Sequence, residues 1–289
     1  MDINLTLKSN NKILEIAKDT PYKLFDIEGI ETAEFELNIV NNAHLDGSFI
    51  VNKMIRKKPI SISVDYKGEN KESERQKLIS FFNLKNKGVL IAEYGDVKRS
   101  IEYEVENFKS KLTNVYDDLS FTVDLICPNP YWTDIELNKQ QIALWRGDFH
   151  FPLVIPQGKG ITMGHREPSL IVNVNNTGQV ETGMIIEFFA RGTLSNPSLF
   201  NVNTRDHIKI NKGMVAGEKF IINTNIGKKK ILQELNGATT DILNYLDVVG
   251  GGDTFLQLDV GDNLFRYNAD SNLDNLEVNI YFSPQYLGV

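Results

Sequence analysis

The chain has 289 residues, of which 41% are hydrophobic and 24% are charged, and its formal net charge is −7. This composition is typical of a globular protein and excludes a disordered or fibrous chain, and the length predicts about two domains. The single cysteine, Cys127, excludes an internal disulfide and a thiolate zinc cluster, and the acidic balance argues against stable binding to nucleic-acid phosphates.

In the first part of the chain, apolar and polar residues alternate, a pattern that buries every second side chain of an antiparallel strand. This alternation predicts strands at Thr32–Val40, Pro59–Tyr66 and Asp118–Ile126. A helix is predicted at Lys71–Asn83, where acidic residues occupy the first turn and apolar residues recur four positions apart. The turn residues Tyr94-Gly95-Asp96 predict a hairpin between two further strands.

A domain boundary is predicted at Cys127-Pro128-Asn129-Pro130. Each proline removes a backbone donor and keeps its predecessor out of the helical region, so the preceding strand cannot continue regularly. We therefore expect an N-terminal domain at residues 1–129 and a C-terminal domain at residues 130–289. No apolar run reaches the length of about 18 residues that a membrane span needs, and the N-terminus lacks a signal-peptide pattern, so neither a membrane contact nor secretion is expected.

The C-terminal domain is predicted to be a β-sandwich, because short strands with turns between them recur along it. Asn225–Gly227 and Asn236-Gly237 predict hairpin turns, and Asp241–Leu246 predicts a short helical turn. Strands are predicted at Thr254–Val260 and Leu276–Phe282. The whole chain is therefore expected to be mainly β.

No residue pattern indicates an enzyme. The histidines form no zinc-ligand spacing, no serine lies in a Gly-x-Ser-x-Gly motif, and nothing near Cys127 would lower the pKa of its thiol. Two carboxylate pairs keep a β-sandwich hydrolase open as a hypothesis, although aspartate is also common at turns because it bonds the backbone there. These residues are His44, His150, His165 and His207, and the pairs Asp117-Asp118 and Asp247 with Asp253. We predict no catalytic residue, no cofactor and no metal.

Other segments have two interpretations each. Gly227–Lys230 and Gly250–Asp253 contain phosphate-loop residues, but neither precedes a helix whose N-terminal amides would face a phosphate. The basic segment Arg56–Lys58 is either a solvated hairpin end or a rim contact with an acidic neighbouring subunit. An aromatic group either covers the junction between the two domains or stacks on sugar rings, and its members are Tyr131, Trp132, Trp145, Phe149 and Phe151.

Several segments together resemble the distal tail protein family of phages and prophages with long tails. They are Leu119–Asp134, Asp148–Pro156, Ile171–Gly183, Ile185–Phe188 and Gly252–Tyr267. The resemblance implies an N-terminal domain that oligomerises into a ring, commonly a hexamer, and a C-terminal galectin-like antiparallel β-sandwich. It also implies that the ring joins the tail tube protein to the tail-tip hub protein at the virion tail tip, after assembly in the host bacterial cytoplasm. DNA would pass through the channel without stable binding.

The leading hypothesis is therefore a non-enzymatic structural protein whose ring domain is residues 1–129. We expect the loops Asn41–Ser48 and Lys53–Lys58 to contact neighbouring subunits, and the acidic chain to form a channel wall that does not hold DNA. The ring sheets would come from Thr32–Val40, Pro59–Tyr66 and Val89–Ile126. The alternative hypothesis is a carbohydrate-binding module for host cell-surface glycans, which requires exposed aromatic rings on one concave face of the sandwich. Its candidate rings are Tyr131, Trp132 and Trp145.

Overall fold

The computed structural model describes residues 3–32, 34–42, 46–111, 118–141, 145–147, 151, 164–166 and 171–289. The chain divides into two units: an N-terminal unit of residues 1–135 with residues 285–289, and a C-terminal unit of residues 136–284. Strands dominate both units, so the mainly β fold predicted from the sequence is confirmed. In the part of the chain that the structure describes, each helix is too short or too polar to cross a bilayer.

The elements follow one another in a regular order along the two units. The N-terminal unit contains β1 (Ile3–Ser9), β2 (Lys12–Ile16), β3 (Tyr22–Glu28), β4 (Glu36–Asn41), β5 (Ser48–Met54), β6 (Lys58–Tyr66), α1 (Lys71–Phe81), β7 (Lys87–Tyr94), β8 (Val97–Lys111), β9 (Leu119–Cys127) and β10 (Trp132–Asp134). The C-terminal unit contains β11 (Asn138–Gln141), β12 (Trp145–Gly147), β13 (Gly164–Arg166), β14 (Ile171–Asn176), β15 (Met184–Ala190), β16 (Leu194–Ser195), β17 (Ser198–Asn201), β18 (His207–Lys209), β19 (Gly213–Met214), β20 (Lys219–Asn223), β21 (Lys230–Leu235), β22 (Ala238–Asp241), a 3-10 helix (Leu243–Tyr245), β23 (Gly261–Asn268), a second 3-10 helix (Leu273–Asn275) and β24 (Leu276–Phe282). The last strand, β25 (Gln285–Tyr286), returns to the N-terminal unit.

The N-terminal unit is built on a nine-stranded antiparallel sheet with the order β2-β1-β7-β8-β9-β6-β3, to which β10 and β25 are added beside β8. Alternate residues of β6 and β9 are buried, which confirms the alternation predicted for Pro59–Tyr66 and Asp118–Ile126. A bulge between Val105 and Asn107 interrupts the long strand β8, and such bulges bend a strand. The hairpin predicted at Tyr94-Gly95-Asp96 joins β7 to β8.

Helix α1 buries Leu78 and Phe81 against this sheet. The helix begins at the predicted residue but ends at Phe81, because Phe82 leaves the helical conformation while its N–H still donates to the Leu78 carbonyl (2.8 Å). The Phe82 ring then stacks on Phe108, with centroids 5.2 Å apart. Aromatic packing in the core therefore fixes the end of the helix.

The N-terminal unit extends to Ile135, beyond the boundary that the prolines suggest at residue 129. Trp132 is fully buried in the core of this unit, and β10 pairs with both β8 and β25. The five last residues also belong here: the Val289 N–H donates to the Ile30 carbonyl (3.2 Å), and the Arg99 guanidinium lies 3.5 Å from the centre of the Tyr286 ring. The last residues of the chain thus contact parts of the N-terminal unit that are distant from them in sequence.

The C-terminal unit contains a six-stranded sheet with the order β11-β24-β15-β20-β21-β22 and a four-stranded sheet with the order β14-β23-β17-β18. Buried side chains from both sheets form one core. The strand predicted at Leu276–Phe282 and the hairpin turn at Asn225–Gly227 are confirmed. Asn236 and Gly237 have φ angles of 50° and 80°, as the predicted turn requires.

Two local predictions for this unit change in the structure. The helical turn expected at Asp241–Leu246 is a 3-10 helix at Leu243–Tyr245. The strand predicted at Thr254–Val260 is wrong: the segment makes only an isolated bridge, between Leu258 and Thr182. Leu256 and Leu258 are nevertheless buried. The apolar residues of this segment therefore indicated which side chains are buried, but not that the backbone pairs continuously with another strand.

Candidate functional site

The most unusual surface of the N-terminal unit is the hairpin formed by β4 and β5. These strands pair only with each other among the described strands. A two-stranded hairpin is at best marginally stable alone in water, and a contiguous exposed apolar patch marks a contact with another molecule. The exposed apolar side chains, with their accessible fractions, are Phe35 (68%), Leu37 (47%), Ile39 (55%), Val40 (55%), Phe49 (63%), Ile50 (50%) and Val51 (68%).

Both faces of this hairpin carry exposed apolar side chains among polar ones. Ile39 is opposite Ile50 and Leu37 is opposite Lys53, and alternation along each strand places these four residues on one face. We call this set (Leu37, Ile39, Ile50 and Lys53) the apolar face of the hairpin. The opposite face carries an Asn38–Asn52 pair beside a Val40–Phe49 pair.

The sequence predicts a strand at Thr32–Val40 with one buried face; the strand forms, but the described part of this chain buries neither of its faces. The strand begins at Glu36 rather than Thr32, and all of its residues are exposed. The alternation is real, but the surface that would cover the apolar residues is not supplied by the described part of this chain. Of the predicted contact loop Asn41–Ser48, residues 43–45 lie outside the described residues, as does Ala33.

The basic segment Arg56–Lys58 divides into two parts. Arg56 pairs with Glu36 (2.5 Å) at the base of the hairpin. Lys58 is only 2% exposed, and its Nζ donates to the Leu287 carbonyl (2.9 Å). Burial lowers the pKa of Lys58. For Lys58, both interpretations, a solvated hairpin end and a rim contact, are therefore wrong, because the returning end of the chain covers it.

A second distinctive surface is the outer face of β6 and β9, which carries short polar side chains joined across the two strands. Ser61 donates to Asp124 (2.8 Å), Ser63 lies 3.1 Å from Thr122, and Ser120 donates to Asp65 (2.6 Å). The neighbouring strands add charges of both signs to this face. The strand registers place there the acidic residues Asp26, Glu28, Asp65, Glu104 and Asp124 and the basic residues Lys23, Lys109 and Lys111. The face is hydroxyl-rich and contains two more acidic than basic residues in this set.

Among the described candidate residues, Asp247, Asp253 and His207 lie near one another around the Asp247–Gly252 bridge, whereas Cys127 belongs to the N-terminal unit. Cys127 is fully buried, and burial raises the pKa of its thiol to about 12, which makes it a poor nucleophile. Asp247 has a lowered pKa because the side chain of Asn211 and the backbone N–H of Gly250 hydrogen-bond to it, as expected for an aspartate that organises a turn. The described residues contain no group of three or more His, Cys, Asp or Glu side chains arranged to hold a metal ion.

A hydrolase would need a carboxyl group with a raised pKa in a cleft. Every shifted carboxyl pKa among the described residues is lowered instead, in Glu72, Glu74, Asp247, Asp262 and Asp270. His207 lies at the start of β18, beside Phe200 at a centroid distance of 6.3 Å. His44, Asp117, Asp148, Phe149 and His150 lie outside the described residues, and His165 is described only through its backbone in β13.

The members of the predicted aromatic group differ in how far they are buried. Trp132 has no exposed surface, so it cannot stack on a glycan, and that part of the carbohydrate-binding alternative is wrong. Tyr131 is half-buried, and Phe151 is 81% exposed. The side chain of Trp145 is not among those described.

Comparisons with known proteins give a consistent result. Residues 177–286 match the family model of the siphovirus-type tail component, C-terminal domain. No curated protein matches the chain in sequence. The fold is similar to that of SPP1 Dit, described as a paradigm of the hub adsorption apparatus in phages that infect Gram-positive bacteria, with a TM-score of 0.68 and 12% identity over 98% of this chain and 99% of that one.

Two structures of the phage P2 baseplate in its activated conformation also contain this fold. The structure with Ca has a TM-score of 0.57 and 9% identity and covers 100% of both chains; the structure with Sr has a TM-score of 0.55 and 9% identity and covers 99% of both. At these identities, the likeness concerns the fold. The family match over residues 177–286 and the shared fold together confirm the resemblance to the phage distal tail protein family.

Proposed function

We propose that this protein is a structural component of a phage tail tip that assembles into a homomeric ring, joins the tail tube protein to the baseplate hub protein and surrounds the DNA channel. The observation that carries the proposal is the β4–β5 hairpin, whose apolar side chains remain about half-exposed or more. Such a surface needs a partner, because burying it removes apolar area from water. The fold shared with baseplate proteins favours a partner within a tail tip.

In a ring, each copy contacts the next through two different surfaces, so that the same contact repeats around the ring. The hairpin lies between β3 and β6 in sequence and pairs with no other described strand, so its exposed side chains are available to a different surface of a neighbouring copy. The hexameric copy number follows from the family resemblance alone. The domain division proposed from the sequence gives this role to residues 1–129 and leaves the C-terminal sandwich outside the ring.

The outer face of β6 and β9 is the proposed channel wall. Its short hydroxyl side chains bond to one another or to carboxylates, and its acidic residues outnumber its three lysines, so the face has no excess of positive charge to hold phosphates. DNA would therefore move past it without stable binding. A strongly basic wall found in an assembled ring would contradict this assignment.

The ring is tested with the full-length purified protein. Size-exclusion chromatography with light scattering should give a mass that is a multiple of the 32.8 kDa protomer, and negative-stain electron microscopy should show annular particles with a central opening. A protein that stays monomeric at tens of micromolar, with no annular particles, would refute the proposal.

A further inference from the structure

We infer that the apolar face of the hairpin of one protomer occupies a groove between α1 and the open edge of β2 in the next protomer. The inference rests on the proposed ring and adds the surface that receives the hairpin. It also adds one specific ion pair across the contact, between Lys53 and Glu15.

The groove is a cavity of about 1030 Å³ that runs along β2 and α1. Apolar side chains line much of it, and Ile13 at its rim is 62% exposed. Strand β2 is the last strand of its sheet, so the outer side of its backbone has no partner strand. An apolar groove beside an unpaired strand edge fits an extended apolar segment, which can add backbone hydrogen bonds and place alternate side chains in the groove. The apolar lining residues are Ile13, Leu14, Pro21, Tyr22, Leu78 and Phe81.

The hairpin has the matching properties. Each of its two strands has one unpaired edge, because the hairpin is a sheet of two strands. Its apolar face presents Leu37, Ile39 and Ile50 side by side. Among the described residues of one chain, the side chains of the hairpin's apolar face are about half-exposed, so the hairpin does not fill its own groove. In the groove, Ile13 is exposed, whereas Leu14, Leu78 and Phe81 are already buried in the protomer's own core. A second copy of the chain supplies both missing surfaces at once, and a contact between two different surfaces repeats head to tail, as a ring requires.

The charges distinguish this arrangement from a general apolar contact. Lys53 lies on the apolar face opposite Leu37, and Glu15 lies on β2 two residues from Ile13 and lines the groove. Neither makes an ion pair with a described residue. In the groove, Lys77 pairs with Glu74 (2.8 Å), and the Lys12 Nζ donates to the neutral Ser80 hydroxyl (3.3 Å). Glu15 is therefore the groove carboxylate that has no ion pair among the described residues, and Lys53 is the cation on the apolar face of the hairpin that can meet it.

Disulfide trapping tests the placement of the hairpin. The full chain carrying Ile50→Cys and Ser80→Cys should form a ladder of cross-linked species on mild oxidation, from dimer up to the closed ring, on a non-reducing gel. The control pairs Ile50→Cys with Glu102→Cys, which is exposed on β8 outside the groove; this pair should give no ladder. The native Cys127 is buried and stays unreactive.

The outcomes separate the two proposals. A wild-type ring with no ladder from the Ile50–Ser80 pair would overturn the groove assignment and leave the ring intact, as would equal ladders from both pairs. A wild-type monomer would overturn both. Charge reversal gives an independent readout: Lys53→Glu and Glu15→Lys should each shift the concentration of half-dissociation upward by up to about five-fold per interface, and the double variant should recover. If each single variant weakens the ring and the double variant weakens it further, the proposed ion pair would be overturned.

Discussion

The double substitution Ile39→Asp with Ile50→Asp should dissociate the ring without unfolding the chain. Ile39 and Ile50 are 55% and 50% exposed in the protomer. Burying a whole isoleucine side chain contributes about 1.5–3 kcal/mol, so covering the remaining half of these two contributes about 1.5–3 kcal/mol per interface. The new carboxylates would be desolvated without a designed partner, which brings the total loss to at least about 3 kcal/mol, or more than 100-fold in the dissociation constant of each interface.

Light scattering after size exclusion, at a few micromolar protein, should show a ring for the wild type and a monomer for the double variant. The circular dichroism spectrum should be unchanged and the variant should still melt cooperatively, because exposed positions usually alter the stability of the protomer by less than about 0.5 kcal/mol. Its melting temperature should fall only by the stabilisation that assembly gives the wild type. Leu84→Asp is the matched control, since Leu84 is 75% exposed in the same unit but outside the hairpin. A double variant that elutes as an intact ring, or a Leu84 variant that dissociates equally, would refute the assignment of the hairpin.

Three further predictions concern the core, the thiol and the proposed channel wall. Trp132→Ala should lower the free energy of unfolding by about 3–5 kcal/mol in chemical denaturation, because Trp132 is fully buried; an unchanged midpoint would contradict the core assignment. The Cys127 thiol should resist Ellman's reagent at pH 8 until the protein is unfolded. Its pKa is raised from 9.0 to about 12, so its contribution to stability is complete below pH 9 and is lost as the pH rises toward 12, while the unfolded chain ionises first. The Cys127→Ala variant should therefore lose less stability than the wild type between pH 9 and 10, and equal losses would contradict this. Replacing Ser63 and Thr122 with lysine should make the ring retain DNA at low salt in a gel-shift assay, and retention should fall steeply with added salt; retention by the wild type to the same degree would contradict a non-binding wall.

The sequence predicts local structure well where one chain supplies both the strand and its cover. The alternation in β6 and β9 gave the correct buried residues, and Asn236-Gly237 gave the turn, because these signals depend on neighbours in the chain and on backbone conformation. The order of several segments pointed to the distal tail family, and the match over residues 177–286 bears out this resemblance.

The tertiary structure alone decided where the apolar faces lie. The same period of two describes β4, whose residues are all exposed, and β6, whose alternate residues are buried, because periodicity reports which side chains share a face and not what covers it. The burial of Lys58 and Trp132 likewise depends on residues near the end of the chain, through the Leu287 carbonyl and the pairing of β10 with β25. Contacts between residues so far apart in sequence leave no local signal, so the exposed hairpin, the groove beside β2 and the returning end of the chain became visible only in the tertiary structure.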